Sequence, residues 1–284
     1  MSVLTIVKAI ELGLIFAVLS LGEYITFRIL NLADLTVDGS FATGGCVCAM
    51  FSVAGHPVLG LVMGFLAGVI CGLIAAVLQT KMKIQPLLAG ILVMLGLYSV
   101  NIRIMKMSPN LPLPRDLNGL FANKEWILMV LIVFVLLLSF ILYTFFKTNL
   151  GLMLRATGDN EEMIRSSSVD VDSMKMLGLG LSNGLVALAG GLLAQYQHFA
   201  DVTMGTGMLV LGVAGIIVGE TIFRKNTVGK GLCAAVFGAI LYRLIYTFAL
   251  KLGFRATDMN LVNACLVALT ISIPMLKKRG KSHA

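Results

Sequence analysis

The residues in this chain that could do chemistry are few, and they stand in unusual places. Asp34 and Asp38 lie in the polar stretch Asn31-Leu-Ala-Asp-Leu-Thr-Val-Asp-Gly39, directly before an apolar run. Ser182 and Asn183 fall inside another apolar run, and Arg243 inside a third, between Tyr242 and Tyr246. Polar and ionisable groups within membrane-spanning segments are costly, so they mark a solute path or a structural pairing. Asn31, Asp34, Asp38, Ser182 and Asn183 are the candidates for lining a path. Asp38 also suits a helix N-cap in an ordinary loop. For Arg243 a salt bridge or carbonyl contact is the simpler reading. Glu11 and Glu23, near opposite ends of the first apolar run, are accounted for by snorkelling or interface pairing. Gln195, Tyr196, Gln197, His198 and Asp201 form a polar cluster suited to an outer gate or docking rim.

Catalytic and metal-binding patterns are missing. There is no H-E-x-x-H and no G-x-S-x-G, and Gly229-Lys230-Gly231 lacks the spacing and hydroxyl of a phosphate-binding loop. His56, His198 and His283 are scattered, which excludes an evident metal site. Cys46, Cys48, Cys71, Cys233 and Cys265 lie in apolar stretches without a C-x-x-C pair and read as small buried residues. The chain is expected not to be an enzyme, and to bind no cofactor or metal of its own.

The elements that must position these groups are helices in lipid. With 284 residues, 58% of them hydrophobic and 13% charged, and a mean hydropathy of +0.95, the chain is no soluble domain. Apolar runs fall near 9–27, 40–54, 58–79, 86–104, 126–146, 176–197, 206–223, 231–250 and 259–276. The expectation is an all-α polytopic membrane protein. It has about eight or nine transmembrane helices in a single domain over residues 1–284. The run at 40–54 is too short to cross alone. Residues 30–54 therefore read as one discontinuous segment, unwound at its start, and irregular backbone at membrane depth persists only against protein or a water-filled cavity. No cleavable signal peptide is expected.

The longest polar interval, Lys147 to Lys175, cannot lie in lipid. Its middle, Asp159 to Ser168, reads as a short helix. Asp159 or Asn160 is its N-cap, Glu161 and Glu162 sit at the positive end of the dipole, and Arg165 in the last turn. Met163 and Ile164 give it an apolar side suited to a partner's groove. If this interval is cytosolic, alternating spans put Lys81, Lys83, Arg224, Lys225, Lys230 and the tail Lys277, Lys278, Arg279 and Lys281 on the same side, with a cytosolic C-terminus at 277–284. The net charge of +8 then reflects topology and not a nucleic-acid partner. The loop Met105–Glu125, with Pro109, Pro112 and Pro114, falls outside and reads as an extended surface segment. Gly60, Gly64, Gly68 and Gly72 recur every four residues, a stripe that admits close helix packing.

Three stretches carry a family resemblance. Gly13-Leu-Ile-Phe-Ala-Val-Leu-Ser-Leu-Gly22 with Asn31 to Phe41 resembles the start of bacterial ABC-importer permeases of the branched-chain amino-acid type. Gly151-Leu-Met-Leu-Arg-Ala-Thr-Gly158-Asp-Asn160 is similar to the segment by which those permeases contact their ATPase. Leu177 to Gln197, with Phe199-Ala-Asp201 and Val218-Gly-Glu220, is similar to the subgroup of tryptophan/tyrosine or uncharacterised permeases. The resemblance implies an importer permease for a small solute, an amino acid and in this subgroup an aromatic one. It also implies two permease copies in the lipid bilayer of the bacterial plasma membrane, a cytosolic ATPase dimer carrying ATP and Mg, and an extracytoplasmic substrate-binding lipoprotein. Asp159, Glu161, Glu162, Met163, Ile164 and Arg165 would then couple to the ATPase. The rival is a secondary transporter or channel driven by an ion gradient. It would favour inverted repeats and paired acids at the membrane centre, and no convincing repeat is visible. An intramembrane enzyme lacks its catalytic cluster.

Overall fold

Proline opens two of the long helices and glycine decides how closely they pack. The computed structural model describes residues 3–114, 119–121, 126–166, 169–223 and 227–252. The apolar run at 259–276, Cys265 and the basic tail lie outside the described residues. Helix α1 (Val3–Tyr24) runs on into a π-helical segment, Ile25–Ile29, where the Leu30 N–H donates to the Ile25 carbonyl five residues back at 2.9 Å. That wider turn ends the helix, and Asn31 takes a left-handed conformation (φ 54°). The chain stays non-helical to Leu35 and resumes as α2 (Thr36–Val53). The break is therefore shorter than the polar stretch Asn31–Gly39 suggests: Asp38 already lies in the first turn of α2.

Helices α3 (Pro57–Thr80) and α4 (Pro86–Ile104) each carry proline in their first turn, where its missing N–H costs nothing. After α4 come β1 (Asn110–Pro112), α5 (Ile127–Phe145), α6 (Asn149–Asp159), α7 (Glu161–Ser166), α8 (Val171–Gln197), β2 (Phe199–Asp201), α9 (Met208–Ile222) and α10 (Val228–Lys251). Among the described residues, six helices are long and apolar enough to cross a membrane: α1 with its π-helical end, α3, α4, α5, α8 and α10. Helix α9, with 15 residues, is shorter. The protein is an all-α multi-pass membrane protein. The loop after α4 is not merely extended. Its strand β1 pairs antiparallel with β2, Leu111 opposite Ala200, and so ties this loop to the end of α8.

Helix α8 is the central element, buried almost throughout from Gly178 to Gln195. It packs against α2 and α3, and the three meet through glycine. A Cβ on Gly60 would stand 2.8 Å from the Cys48 carbonyl oxygen, and one on Gly64 would stand 3.1 Å from that of Gly44. On Gly68 it would collide with Ala187 and the Asn183 carbonyl, and on Gly72 with the Leu179 carbonyl. Gly44 faces the Ala187 carbonyl and Gly190 that of Phe41 in the same way. The outer side of α3 carries Val62, Leu66, Ile70 and Ile74, all exposed. Small residues inside and large ones outside is the arrangement expected where lipid solvates the periphery and dispersion between backbones holds the interior. Helix α5 is peripheral, with only Leu131, Val135 and Leu142 buried. Cys46, Cys48 and Cys71 are buried, whereas Cys233 is exposed on α10, against the expectation for it.

Gly96 on α4 is the counter-example, since a Cβ there meets open space. Gly68→Ala is expected to lower the melting temperature in detergent, by an overpacking cost of about 1–3 kcal/mol. Gly96→Ala is expected to raise it slightly, by about 0.4–1 kcal/mol, through lower unfolded-state entropy and better helix propensity. Two variants with the same shift would contradict the packing described.

Candidate functional site

The break after the π-helical segment is held against the middle of α8 by side chains. Asp34 is 2% exposed. Its Oδ1 accepts the Thr36 N–H at 2.9 Å, which fixes the start of α2. Its Oδ2 accepts Asn183 Nδ2 at 2.7 Å. Asn183 Oδ1 in turn accepts Ser40 Oγ at 2.7 Å, and Nδ2 also donates to the Leu179 carbonyl at 3.0 Å. Beside it, Ser182 Oγ donates to the Gly22 carbonyl at 2.8 Å. Asp34, Ser182 and Asn183 are thus brought together in a buried network linking α1, the break, α2 and α8. Asn31 is exposed and weakly tied, its Nδ2 3.4 Å from the Gly158 carbonyl on α6.

Asp38 serves a different end. Half-buried, it accepts the Gly207 N–H through Oδ2 and the Leu209 N–H through Oδ1, both at 2.9 Å. It therefore caps the N-terminus of α9, a helix distant in sequence, where orphan N–H groups and the helix dipole both favour an acid. Sequence alone indicates an N-cap at Asp38, but not that the cap belongs to α9. Two cavities flank these acids. One of about 240 Å³ lies between the π-helical segment, the break and α9, with Glu23, Thr26 and Asp34 on its wall. The other, about 220 Å³, is bounded by Asp38, Met94, Tyr98 and Thr203. Glu23 does not snorkel: it is 1% exposed, and neither carboxyl oxygen has a hydrogen-bond partner among the described residues. Glu11 is paired, accepting the Tyr196 hydroxyl at 2.8 Å.

The polar interval after α5 forms two helices and not one. Thr148 caps α6, accepting the Gly151 N–H at 3.3 Å. Asp159 is the last residue of α6, and the extended Asn160 separates it from α7. Asn160, not Asp159, is the cap, its Oδ1 accepting the Met163 N–H at 3.1 Å. On α7, Met163 is 66% exposed whereas Ile164 is 8% exposed and turned into the chain's own packing. Glu162 and Arg165 are exposed. Glu161 pairs with Lys175 at 2.6 Å, and Arg165 reaches Asp172 at 3.9 Å, so α7 is strapped to the start of α8. Asp170 caps α8, and the Ser173 hydroxyl donating to it at 2.6 Å holds its carboxyl below the usual carboxylate range. Helix α6 reaches the break itself, since Gly158 is pressed onto the Ile29 carbonyl. Nearby, Arg28 of the π-helical segment makes an ion pair with Glu220 at the end of α9. Nothing in the sequence flags that ion pair, because its partners are 192 residues apart.

The cluster at the end of α8 is structural. Gln195 Nε2 donates to the Pro57 carbonyl at 2.8 Å, His198 ends α8 in a left-handed conformation (φ 59°), and Asp201 Oδ1 accepts the Thr203 N–H at 2.7 Å. Arg243 makes neither salt bridge nor carbonyl contact among the bonds described. Its guanidinium lies over the Tyr246 ring at 4.7 Å and the Phe16 ring at 5.3 Å, a cation–π arrangement.

Comparison with known proteins identifies this architecture. The family model described as the permease component of branched-chain amino acid transport systems matches residues 5–272. The chain belongs to that permease family. This permease is 41% identical over 263 residues to a tyrosine transport system permease protein of Clostridioides difficile (strain R20291), covering 92% of this chain and 88% of the relative. It is 35% identical to an uncharacterized protein of Rickettsia prowazekii (strain Madrid E), over 94% of this chain and 96% of that one. A ribose import permease of Escherichia coli (strain K12) is 26% identical over 86% of this chain and 78% of its own length. No solved structure matches. The permease is thus a membrane component of an ABC-type transport system, a class that works with an ATPase and a substrate-binding partner.

The buried network yields a ranked prediction. Asn183→Leu removes the donor to Asp34 and the acceptor of Ser40 together, and stranding buried polar groups costs about 1–3 kcal/mol each. Asp34→Asn keeps an acceptor for the Thr36 N–H and is expected to lower the melting temperature less. Thermal melts giving the reverse order would refute the role assigned to Asn183.

Proposed function

We propose that this permease forms the membrane pathway of an importer for an aromatic amino acid. The observation that carries the reading is the 41% identity, over nearly the whole chain, to a tyrosine transport permease. Two copies of the chain form the pore, and the α6–α7 segment and the C-terminus face the cytosol. An ATPase dimer with ATP and Mg docks beneath, and a substrate-binding lipoprotein delivers solute from the other side. Asn31, Asp34, Asp38, Ser182 and Asn183 belong to the moving wall of the path. Their part is to hold the broken segment and α9 in place while solute passes.

The geometry supports a route for coupling. Met163 is presented outward, Ile164 anchors α7 to its own chain, and α6 presses through Gly158 on the end of the π-helical segment. A displacement of α6–α7 by the ATPase reaches the break, and with it Asp34, through backbone contact. Two packed arrangements of such a unit suffice for alternating access, provided the ATP-bound partner favours one of them. Ion-gradient transport has no observation in its favour beyond the acids themselves.

The test is uptake of radiolabelled tyrosine by proteoliposomes holding the permease with its ATPase and lipoprotein. ATP-dependent accumulation is expected, with ribose excluded. Accumulation driven by an ion gradient without the ATPase would overturn the reading. Met163→Asp is expected to uncouple the system. Losing one buried apolar anchor weakens docking by about 1–3 kcal/mol, so ATP hydrolysis should no longer respond to loaded lipoprotein while the chain still inserts. Ile164→Asp is the poorer probe, because it strikes the permease's own packing.

A further inference from the structure

The ion pair between Arg28 and Glu220 stands on the wall of a polar crevice that it does not fill. The crevice has a volume of about 230 Å³ and lies where the π-helical segment, α6, the end of α9 and the start of α10 meet. Among the described residues its charged lining is Arg28, Arg155, Asp159 and Glu220. Arg28 and Glu220 pair with each other. Arg155 and Asp159 take part in no ion pair among the described residues. Both are open to water, Asp159 exposed and Arg155 partly so. They stand four positions apart on α6, which puts their Cβ atoms about 5–6 Å from each other on one face of the helix. Asp159 is the last residue of α6, where the negative end of the helix dipole disfavours an acid. The stability of α6 therefore does not account for its presence.

One unpaired guanidinium and one unpaired carboxylate, a helical turn apart on the same wall, match a ligand that carries both charges close together. A phosphate would meet Asp159 and Glu220 there, and a simple amine would meet Arg28 and Arg155, so a ligand of one sign is repelled by half of the lining. We propose that this crevice binds the zwitterionic backbone of a free amino acid, Arg155 donating to its α-carboxylate and Asp159 accepting from its α-ammonium. A guanidinium and a carboxylate pair through two parallel N–H···O bonds, which fixes orientation as well as adding affinity. Tyr24, Ile29 and Val228 give the ligand's side chain an apolar flank. The inference rests on the amino-acid importer reading and adds a place where the permease holds its solute outside the network at Asp34. With α6–α7 facing the cytosol, the crevice meets solute that has already been imported. Its occupant stands next to the contact of Gly158 with the Ile29 carbonyl, the step by which α6 reaches the break.

The test is equilibrium binding of radiolabelled tyrosine to the full chain in lipid nanodiscs, without ATPase or lipoprotein. Unlabelled tyrosine should compete. Tyramine, which lacks the carboxylate, 3-(4-hydroxyphenyl)propionate, which lacks the amine, and inorganic phosphate should not. Arg155→Gln and Asp159→Asn should each weaken binding at least tenfold. Where either variant does not insert, Val228→Trp narrows the crevice, keeps both charges and should abolish binding as well. Absent tyrosine binding in the wild type, binding indifferent to these variants, or competition by tyramine, the propionate or phosphate equal to that of unlabelled tyrosine would each overturn the proposal. The uptake assay separates the two readings. ATP-driven tyrosine import by a permease without this binding removes only the present inference. Binding that depends on Arg155 and Asp159 in a chain that imports no amino acid removes the importer reading and leaves the site.

Discussion

The structure depends on backbone meeting backbone along α8. Lipid is as apolar as leucine, so burial of large side chains cannot drive these helices together, and what remains is close contact. Glycine on α2, α3 and α8 lets carbonyl oxygens of one helix lie where side chains would otherwise stand. Contacts at that range are short, numerous and intolerant of a methyl group. They also make the three helices move as one piece, because no compressible side-chain layer lies between them.

Against that rigid unit the polar groups work at helix ends. Asp34 fixes the beginning of α2 and Asp38 the beginning of α9, while Asn183 donates to the first from the middle of α8. Two interrupted segments therefore begin close together, each with backbone N–H groups accepted by an acid from the protein. This is the condition under which irregular backbone survives at membrane depth. The break is also where α6 arrives, so the most mechanically vulnerable stretch of α1–α2 is the one nearest the polar interval.

Much of this was legible in the residues. The apolar runs gave the helices, the four-residue glycine spacing gave the packed face of α3, and the polar Asn31–Gly39 stretch gave the discontinuity. What stayed hidden depended on distant partners. Asp38 looks like a local cap, yet its N–H groups come from α9. Arg243 looks like half a salt bridge, yet its neighbours are rings contributed by α1 and its own helix. Glu23 reads as an interfacial glutamate because a helix-end acid usually reaches water, and only the packing of α9 over it removes that option. The π-helical segment has no sequence signature: one wider turn in an apolar run leaves the pattern of residues unchanged. Asp159 and Asn160 are equally good caps on paper, and the extended backbone at Asn160 decides between them.

Helix α9 has a further consequence, one of length. Its 15 residues rise about 22 Å, short of a hydrocarbon core of about 30 Å. Because Asp38 pins its first turn within the protein, α9 cannot slide to share the mismatch between its two ends. A change in bilayer thickness therefore loads its far end alone, where Glu220 holds Arg28. The ion pair between α9 and the π-helical segment thus sits where the membrane itself can pull on the break.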